Sequence, residues 1–434
     1  MNKTALKEYN DPKNIIVISN YPTFDTKGTM GNITGVSTYT YNLASQMKND
    51  LKKYDRKTII FADLPNGFEN DVYEKDGVVI VKIWRKSSAY TFNRILSLMN
   101  RLNKVDKILV QFEFSMYGGI LTTLYFPLFL LLLRLKRKNV TLLLHQVVED
   151  LNELGGHLNI KRGSIKNRVL NLGIKMFFWT VLGYVDKVIV HDNVLKERLD
   201  RIRKKKCPVF VIPHGMIDDA DYCEIVNPRR KLNLKKKDFI VLSFGFLTWY
   251  KGSDWIVEKF MDYYDKTKDD SIKLIIAGGK SANLKNRRFY ESYYRELIDR
   301  IKNYPNIIHT DFIPNDLVRD YYCAADVIVF PYRIHMSASG PFSLALSYDR
   351  PFLISDNFEG ILETWDIKEI MHELDLNKKD ICFDLRESGD LFRKISELVE
   401  SKRRRNLLSK FSEMVKEQRE WSKISKKFLF VIDA

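Results

Sequence analysis

The stretch DVIVFPYRIHMSASGPFSLALSYDRPFLISD, residues 326–356, decides the fold class. It contains two short apolar runs, at 327–332 and 351–356, with a helical pattern between them. A strand, a helix and a second strand in this order form the unit of a parallel sheet covered by helices. Small residues and a Gly-Pro step precede the helix, and backbone amides at such a helix start can bind an anion. An ordinary loop-to-helix junction is the alternative.

The same alternation of apolar runs and helical patterns covers almost the whole chain. Continuous apolar runs joined by helices indicate parallel sheets that are buried on both faces. A chain of 434 residues exceeds one ordinary core, so we predict an α/β fold with two Rossmann-like domains. The predicted strands are 14–19, 57–62, 78–84, 107–112, 140–145, 187–192 and 208–213, then 239–245, 272–279, 306–312, 327–332, 351–356 and 381–384.

The boundary between the domains is predicted just after VIPHG, residues 211–215, because the polar and charged segment that follows is typical of a linker. We therefore expect an N-terminal domain at 1–213 and a second domain that begins at 214. Ligands of open α/β domains bind at the carboxyl ends of the strands. The crevice between the two domains is the expected active site.

Composition limits the function classes. The net charge is +16, from 71 Lys+Arg against 55 Asp+Glu, which suits an anionic partner. We expect no nucleic-acid binding, because no RNA-binding aromatic motif accompanies the charge. The four cysteines are scattered, which predicts free thiols and no zinc site. The N-terminus lacks the apolar core of a secretory signal, so we expect a cytoplasmic protein.

Two apolar stretches, 118–135 and 169–185, are too short or too interrupted to span a bilayer. We predict core helices for both. For the second stretch, a helix lying in the membrane interface is the alternative, because basic residues precede its aromatic cluster.

Candidate site residues follow the predicted strands. His145, His191 and His214 each stand at the end of a strand, and we expect them to point toward one crevice. Lys251 lies between a glycine-bearing turn and an amphipathic helix. An ammonium beside backbone donors is suited to a diphosphate leaving group.

The order of these motifs resembles the retaining glycosyltransferase family 4, over most of the chain. The resemblance rests on GNITGVSTYTYNLA (31–44), LLLHQ (142–146), VIPHG (211–215), FGFLTWYKGSD (244–254), the opening stretch and QREWSKISKKF (418–428). It implies the GT-B fold, in which two parallel-sheet domains face a central cleft. It also implies a second domain at 214–408 that binds the nucleotide-sugar, an acceptor-binding first domain, and a terminal helix at 409–434 that returns to the first domain.

The resemblance also implies roles for single residues. His145 and Lys251 are the expected catalytic residues, His145 beside the transferred sugar and Lys251 on the diphosphate. His191 and His214 are expected on the acceptor side. The expected donor-binding residues are Gly35, Gly245, Lys251, Gly252, Ile313, Ser339, Gly340, Pro341, Phe342 and Ser343.

The sequence departs from the family's pattern at two carboxylates. Met336 and Leu344 occupy the places of a Glu-x7-Glu pair that often contacts sugar hydroxyls and ribose, and Phe246 replaces a frequent basic residue. These departures leave the donor open. They also keep a non-catalytic nucleotide-binding or partner subunit as the alternative function.

The expected function is transfer of a hexose-type sugar from a nucleotide-diphosphate donor to a glycan or lipid-linked acceptor with retention of configuration, in cell-surface polysaccharide or glycoconjugate synthesis. No cofactor and no metal are expected, because Lys251 and helix amides can neutralise the diphosphate. We expect a location in the cytoplasm, at the inner face of the cell membrane, with peripheral contact to anionic lipid.

Overall fold

The computed structural model describes residues 6–24, 30–31, 34–65, 71–114, 116–151, 163–202, 207–217, 222–223, 226–281, 284, 286–387 and 389–434. The strands are β1 Ile15–Ile18, β2 Thr23–Phe24, β3 Met30–Gly31, β4 Thr58–Asp63, β5 Asp71–Lys75, β6 Val78–Trp84, β7 Lys107–Phe112, β8 Asn139–Leu144, β9 Lys187–Val190, β10 Val209–Val211, β11 Phe239–Phe244, β12 Ile272–Ala277, β13 Ile307–His309, β14 Val327–Phe330, β15 Phe352–Ser355 and β16 Cys382–Phe383.

The helices are α1 Gly35–Lys52, α2 Thr91–Arg101, α3 Ile120–Leu135, α4 Ile165–Tyr184, α5 Asn193–Ile202, α6 Pro228–Lys231, α7 Ser253–Thr267, α8 Arg288–Ile301, α9 Asn315–Ala324, α10 Gly340–Ser347, α11 Trp365–Glu373, α12 Lys378–Ile381, α13 Asp390–Glu400, α14 Lys402–Gln418 and α15 Trp421–Asp433. Short 3-10 turns lie at Lys7–Tyr9, Trp249–Lys251 and Asp356–Glu363.

The first domain is built on an eight-stranded sheet of order β10-β9-β8-β7-β1-β4-β6-β5. All its neighbouring strands are parallel except the β5–β6 pair at one edge. Successive residues of β1 enter cores on opposite faces, Ile16 on one side and Val17 on the other. Burial on both faces is what the continuous apolar runs predict.

The second domain contains a six-stranded parallel sheet of order β13-β12-β11-β14-β15-β16. Residues 326–356 form β14, α10 and β15, and Ile328 pairs with Phe352 in parallel register. The predicted fold class, α/β with two parallel-sheet domains, is confirmed.

The chain crosses back to the first domain at its end. α14 packs into the second core through Leu408 and Phe411, whereas α15 packs on α1 and enters the first domain's core through Phe428. The predicted returning segment, 409–434, therefore divides: residues 409–418 stay on the second domain, and the returning helix begins at Trp421. The boundaries at 213 and 408 stay predictions.

One prediction about the cysteines is wrong. Cys223 and Cys323 form a disulfide with a Cα–Cα distance of 5.1 Å, rather than two free thiols. Cys323 lies in α9, which packs close to the segment after the first domain. No spacing motif in the sequence predicts that Cys223 and Cys323 lie close together.

The two apolar stretches form α3 and α4. No helix of the described part of the chain is long and apolar enough to cross a membrane. The prediction of core helices holds for one side of each helix only. Phe126 of α3 and Phe178 of α4 are buried, whereas Leu124 and Met176 are exposed to solvent.

Candidate active site

Lys251 lies in the connection between β11 and α7. The residue is half-buried, and its Nζ comes within 2.5 Å of the position that a Cβ on Gly245 would occupy. The same position lies 3.5 Å from Cγ of Pro341, in the first turn of α10. Gly245 has a φ of +117°, which favours glycine. The ammonium, the glycine turn and the N-terminus of α10 therefore meet at one place.

The N-terminus of α10 presents backbone rather than large side chains. Ser339 caps the helix by accepting a hydrogen bond from the amide of Phe342 at 3.2 Å, and its hydroxyl lies 3.0 Å from the Tyr332 hydroxyl. The Ser343 hydroxyl donates to the Ser339 carbonyl at 3.3 Å. The side chain of Phe342 is buried in the second core. The loop thus leaves the half-buried Gly340–Pro341 turn beside Lys251.

The electrostatics of this place favour an anion. Burial lowers the pKa of Lys251 to about 8, and no carboxylate of the described residues pairs with its ammonium. The nearest ring face is that of Tyr332, 5.9 Å from Nζ to the centroid. The positive end of the α10 dipole lies on the same side. A bound anion would supply the counter-charge for this half-buried cation.

Gly252 fixes the turn that carries Lys251. Its φ is +72°, and a Cβ there would overlap the carbonyl oxygen of Pro331, which follows β14. The turn after β11 therefore packs directly against the end of the neighbouring strand.

The three predicted histidines do come together in the first domain. His191 Nε2 lies 3.3 Å from His145 Nδ1, and the Tyr39 ring contacts all three imidazoles with centroid distances of 4.9 to 5.2 Å. His145 also bonds the Gln111 side chain at 2.8 Å. His191 donates from Nδ1 to the Ile212 carbonyl at 3.0 Å.

These histidines are neutral at physiological pH. Burial lowers the pKa of His191 to about 4 and that of His214 to about 3. Burial, with the neighbouring His191, also holds the pKa of His145 well below its ordinary value. His145 is therefore a neutral ring rather than a cation, and both of its nitrogens contact protein groups, Gln111 and His191.

The other predicted residues occupy varied places. Gly35 is the exposed first residue of α1, after the Thr34 cap that accepts from the Ser37 amide. Ile313 is buried in the second core. Met336 packs with residues of both domains, and Leu344 is partly buried against the second core.

The domains touch beside this site. Gln146, after β8, forms an antiparallel backbone bridge with Ser337 of the loop before α10. Val148 and Ile334 join the same small apolar cluster from opposite domains. A second contact between the domains joins His335 Nε2 to Asp192 Oδ2 at 2.9 Å, and it is buried.

Sequence reasoning missed Glu113, which directly follows β7. Its Oε1 lies 3.5 Å from Gln146 Nε2, and its charge acts on Tyr250, the neighbour of Lys251. Burial raises the pKa of Glu113 to about 7, against the opposing effect of Lys86. The signal was available, because Glu113 ends an apolar strand as the histidines do.

Two parallel α/β domains, a site between the carboxyl ends of their strands and a terminal helix that returns to the first domain define the GT-B fold. The sequence model of the family described as Glycosyl transferases group 1 matches residues 238–401. Residues 238–401 of the second domain therefore resemble the glycosyl transferases of group 1, and the chain as a whole has the GT-B fold.

Solved structures agree on the fold along the whole chain. A sucrose-phosphate synthase from Thermosynechococcus elongatus is 15% identical, with a TM-score of 0.67 and coverage of 97% of this chain and 98% of that one. HepE of Anabaena, solved with UDP, is 12% identical, with a TM-score of 0.62 and coverage of 97% and 99%.

An α,α-trehalose-phosphate synthase (UDP-forming) from Burkholderia xenovorans, solved with glucose-6-phosphate, is 10% identical, with a TM-score of 0.67 and coverage of 97% and 100%. At these identities the likeness shows the fold alone. No curated protein sequence matches the chain.

Proposed function

We propose that the protein transfers a hexose-type sugar from a nucleotide-diphosphate donor to a hydroxyl of a glycan or lipid-linked acceptor, with retention of configuration. The observation that carries the proposal is the meeting of the Lys251 ammonium with the N-terminus of α10. Two of the similar structures support the donor class, since HepE is solved with UDP and the trehalose-phosphate synthase is UDP-forming.

The proposed chemistry places the departing diphosphate at Lys251. As the bond between the sugar's anomeric carbon and the phosphate oxygen breaks, negative charge grows on the diphosphate. The Lys251 ammonium and the amides of α10 stabilise that charge without reorganisation. The acceptor oxygen bonds to the same face of the anomeric carbon. Charge neutralisation by Lys251 is the work that a metal ion does in other transferases, and we propose that no metal is required.

The proposed role of His145 is to line the place of the transferred sugar as a neutral ring, whose two nitrogens are held by Gln111 and His191. His191 was expected on the acceptor side, but it is fully buried behind His145. We therefore assign His191 to holding the imidazole of His145 through their 3.3 Å contact. His214, which is partly buried against Tyr39 and Trp421, supports the same cluster.

Ile313 is proposed to contact the nucleotide base through its backbone, because its side chain belongs to the core. The exposed first turn of α1, at Gly35, is proposed to face the donor phosphate and the acceptor across the cleft. The acceptor is proposed to be a precursor of cell-surface polysaccharide or glycoconjugate, processed in the cytoplasm at the inner face of the membrane.

A thermal-shift screen against nucleotide-sugars, followed by a transfer assay with the stabilising donor, tests the function. A donor at 100 times its Kd stabilises the protein by about 2.7 kcal/mol. We expect Lys251→Ala to abolish both the shift and the transfer. Lys302→Ala, which removes an exposed lysine of the same domain, should change neither. Absence of a shift with every nucleotide-sugar would overturn the proposal.

A non-catalytic nucleotide-binding subunit is the second candidate, because Met336 and Leu344 stand where related proteins often carry carboxylates. This candidate predicts a thermal shift that depends on Lys251 without transfer or donor hydrolysis. The transfer assay that follows the thermal-shift screen therefore distinguishes the catalytic function from the non-catalytic one.

A further inference from the structure

The outward side of α3 is a continuous apolar stripe. Ile120, Leu121, Leu124, Tyr125 and Leu128 are all exposed, and Leu124 is 66% exposed. Spacings of three and four residues place these side chains on one face of the helix. Soluble proteins seldom expose so many large apolar side chains together.

The outward side of α4 repeats the pattern. Ile165, Val169, Leu172, Met176 and Trp179 follow one another at steps of three or four residues, and all are exposed. α3 and α4 pack side by side, and the Arg134 guanidinium of α3 donates to the Gly183 carbonyl of α4 at 2.6 Å. We call these ten exposed side chains the two-helix face.

The charges around the two-helix face have one sign. Neither 120–138 nor 163–185 contains an aspartate or glutamate. Exposed basic residues stand at both ends: Lys166 and Arg168 in the first turn of α4, and Lys136 and Arg137 after α3. An apolar surface with a basic border complements an anionic lipid bilayer, where apolar side chains enter the interface and cations meet the headgroups.

The direction of the helices links this face to the candidate active site. α3 begins after the carboxyl end of β7, and α4 ends just before β9, so both helices start at the cleft side of the sheet. The exposed residues from Ile120 to Leu128 and from Ile165 to Leu172 lie in the cleft-side halves. A surface seated on this face would therefore reach the edge of the cleft.

We propose that the two-helix face docks on an anionic lipid bilayer. The docking is peripheral, and it turns the cleft toward acceptors held in the membrane. The orientation toward acceptors rests on the proposed function, whereas the docking itself does not. The sequence alone had indicated an interfacial helix only as an alternative for 169–185, and α3 now supplies the second half of the surface.

Vesicle flotation with the full chain tests the docking. Vesicles of phosphatidylcholine alone are compared with vesicles that contain about one third phosphatidylglycerol. We expect binding to the anionic vesicles only, weakened at high salt. Lys166→Ser with Arg168→Ser should lower the partition coefficient by about fivefold for each charge removed. Leu124→Ser with Met176→Ser should lower it at least as much, because exposed apolar area is lost.

A matched pair of tryptophans provides the control. Trp179 on the two-helix face is 53% exposed, and Trp365 on the second domain is 60% exposed. Trp179→Ser should weaken vesicle binding, whereas Trp365→Ser should leave it unchanged. Equal binding to neutral and anionic vesicles, or none, overturns the proposal. So does concentration-dependent self-association that Leu124→Ser with Met176→Ser abolishes, because the face would then bind a second copy.

An independent observation concerns Glu113. Its carboxyl lies at the carboxyl end of a central strand of the first domain, beside Gln146, whose backbone bridges to Ser337. On the other side is Tyr250, next to Lys251. Glu113 is therefore a half-buried residue of the first domain whose charge acts on Tyr250 of the second domain, the neighbour of Lys251.

We infer that Glu113 accepts a hydrogen bond from a hydroxyl of the acceptor and so selects and orients it. This inference rests on the proposed function. The groups that face the carboxyl are Gln146, Lys86 and Tyr250, and none of them forms an ion pair with it among the described contacts. The raised pKa of Glu113 fits a carboxyl group that binds a neutral polyhydroxyl partner rather than a protein cation.

Steady-state kinetics of Glu113→Gln test this inference. The side chain keeps its shape and loses its charge, so we expect kcat/KM for the acceptor to fall at least tenfold while the donor Kd, measured by calorimetry, stays unchanged. In the parent protein this kcat/KM should rise through pH 7, and the rise should disappear in the variant. Glu149→Gln, which changes a surface ion pair with Arg201, is the control.

The outcomes separate the two proposals. Unchanged acceptor kinetics with normal donor binding overturn the role of Glu113 and leave the proposed function standing. Failure of the parent protein to bind any donor overturns both.

Discussion

Replacement of Lys251 by methionine gives the sharpest test of the anion site, because it removes the charge and keeps most of the volume. Burial lowers the pKa of Lys251 to about 8 in the ligand-free protein. The ammonium is thus about nine-tenths protonated at pH 7 and about one-tenth protonated at pH 9. A diphosphate binds the charged form, so its affinity should fall about tenfold between these two pH values.

The variant should show two changes. At pH 7 the Kd for UDP should increase by about one to two orders of magnitude, since a hydrogen bond to a charged group contributes about 1.5–3 kcal/mol. Between pH 7 and pH 9 its affinity should be nearly constant, because the titrating group is gone. The phosphates of UDP contribute little to the pH profile, as their second pKa is near 6.

Titration calorimetry in two buffers of different ionisation enthalpy measures both effects. Binding to the parent protein should take up a proton fraction that grows from near zero at pH 7 toward about one at pH 9, because the ligand restores the ordinary pKa of the lysine. Lys302→Met is the matched control. Identical pH profiles of the parent protein and Lys251→Met would refute the placement of the diphosphate at Lys251.

Three further substitutions have expected outcomes. Gly252→Ala should cost about 2 kcal/mol or more in urea unfolding and remove UDP binding, because φ is +72° and the Cβ would overlap the Pro331 carbonyl; an unchanged midpoint would contradict this. Arg419 contacts Asp366 at 2.6 and 2.9 Å, and both groups are buried. Arg419→Met leaves the Asp366 carboxylate without its cation and should therefore lower the free energy of unfolding by about 3–5 kcal/mol. Cys323→Ser should cost about 4 kcal/mol, given the separation of 100 residues in its disulfide. The difference in stability between the parent protein and Cys323→Ser should vanish in reducing buffer. If there is no difference under oxidising conditions either, Cys223 and Cys323 are free thiols.

The strands were predictable because most of them are buried on both faces. Every predicted strand is present, with ends that differ by a few residues. An apolar run such as 107–112 is stable in the middle of a sheet, because helices cover both faces of the sheet there. β5 was missed because DVYEK is an edge strand with polar, partly exposed side chains and therefore no apolar run. β2 and β3 are two residues long and carry no pattern.

The approach of Lys251 to α10 was predictable from topology, because both follow neighbouring parallel strands and therefore lie at the same edge. The contact between His335 and Asp192 was not, since it depends on how two separately folded domains meet. The exposure of α3 was not predictable either. An apolar composition on all sides signals burial, and only packing against α4 and the sheet shows which side remains open.

The charges of the proposed site limit which group can accept the proton from the acceptor hydroxyl. Lys251 neutralises the departing diphosphate, which makes that phosphate a weaker base. The histidines are neutral, and burial keeps them from accepting a proton readily. Among the described side chains of this site, Glu113, with a pKa of about 7, is then a stronger base than the three histidines. If the departing phosphate takes the proton, Glu113→Gln should raise KM for the acceptor and leave kcat nearly intact. If the carboxylate takes it, kcat should fall while KM rises, so the split between the two constants identifies the base.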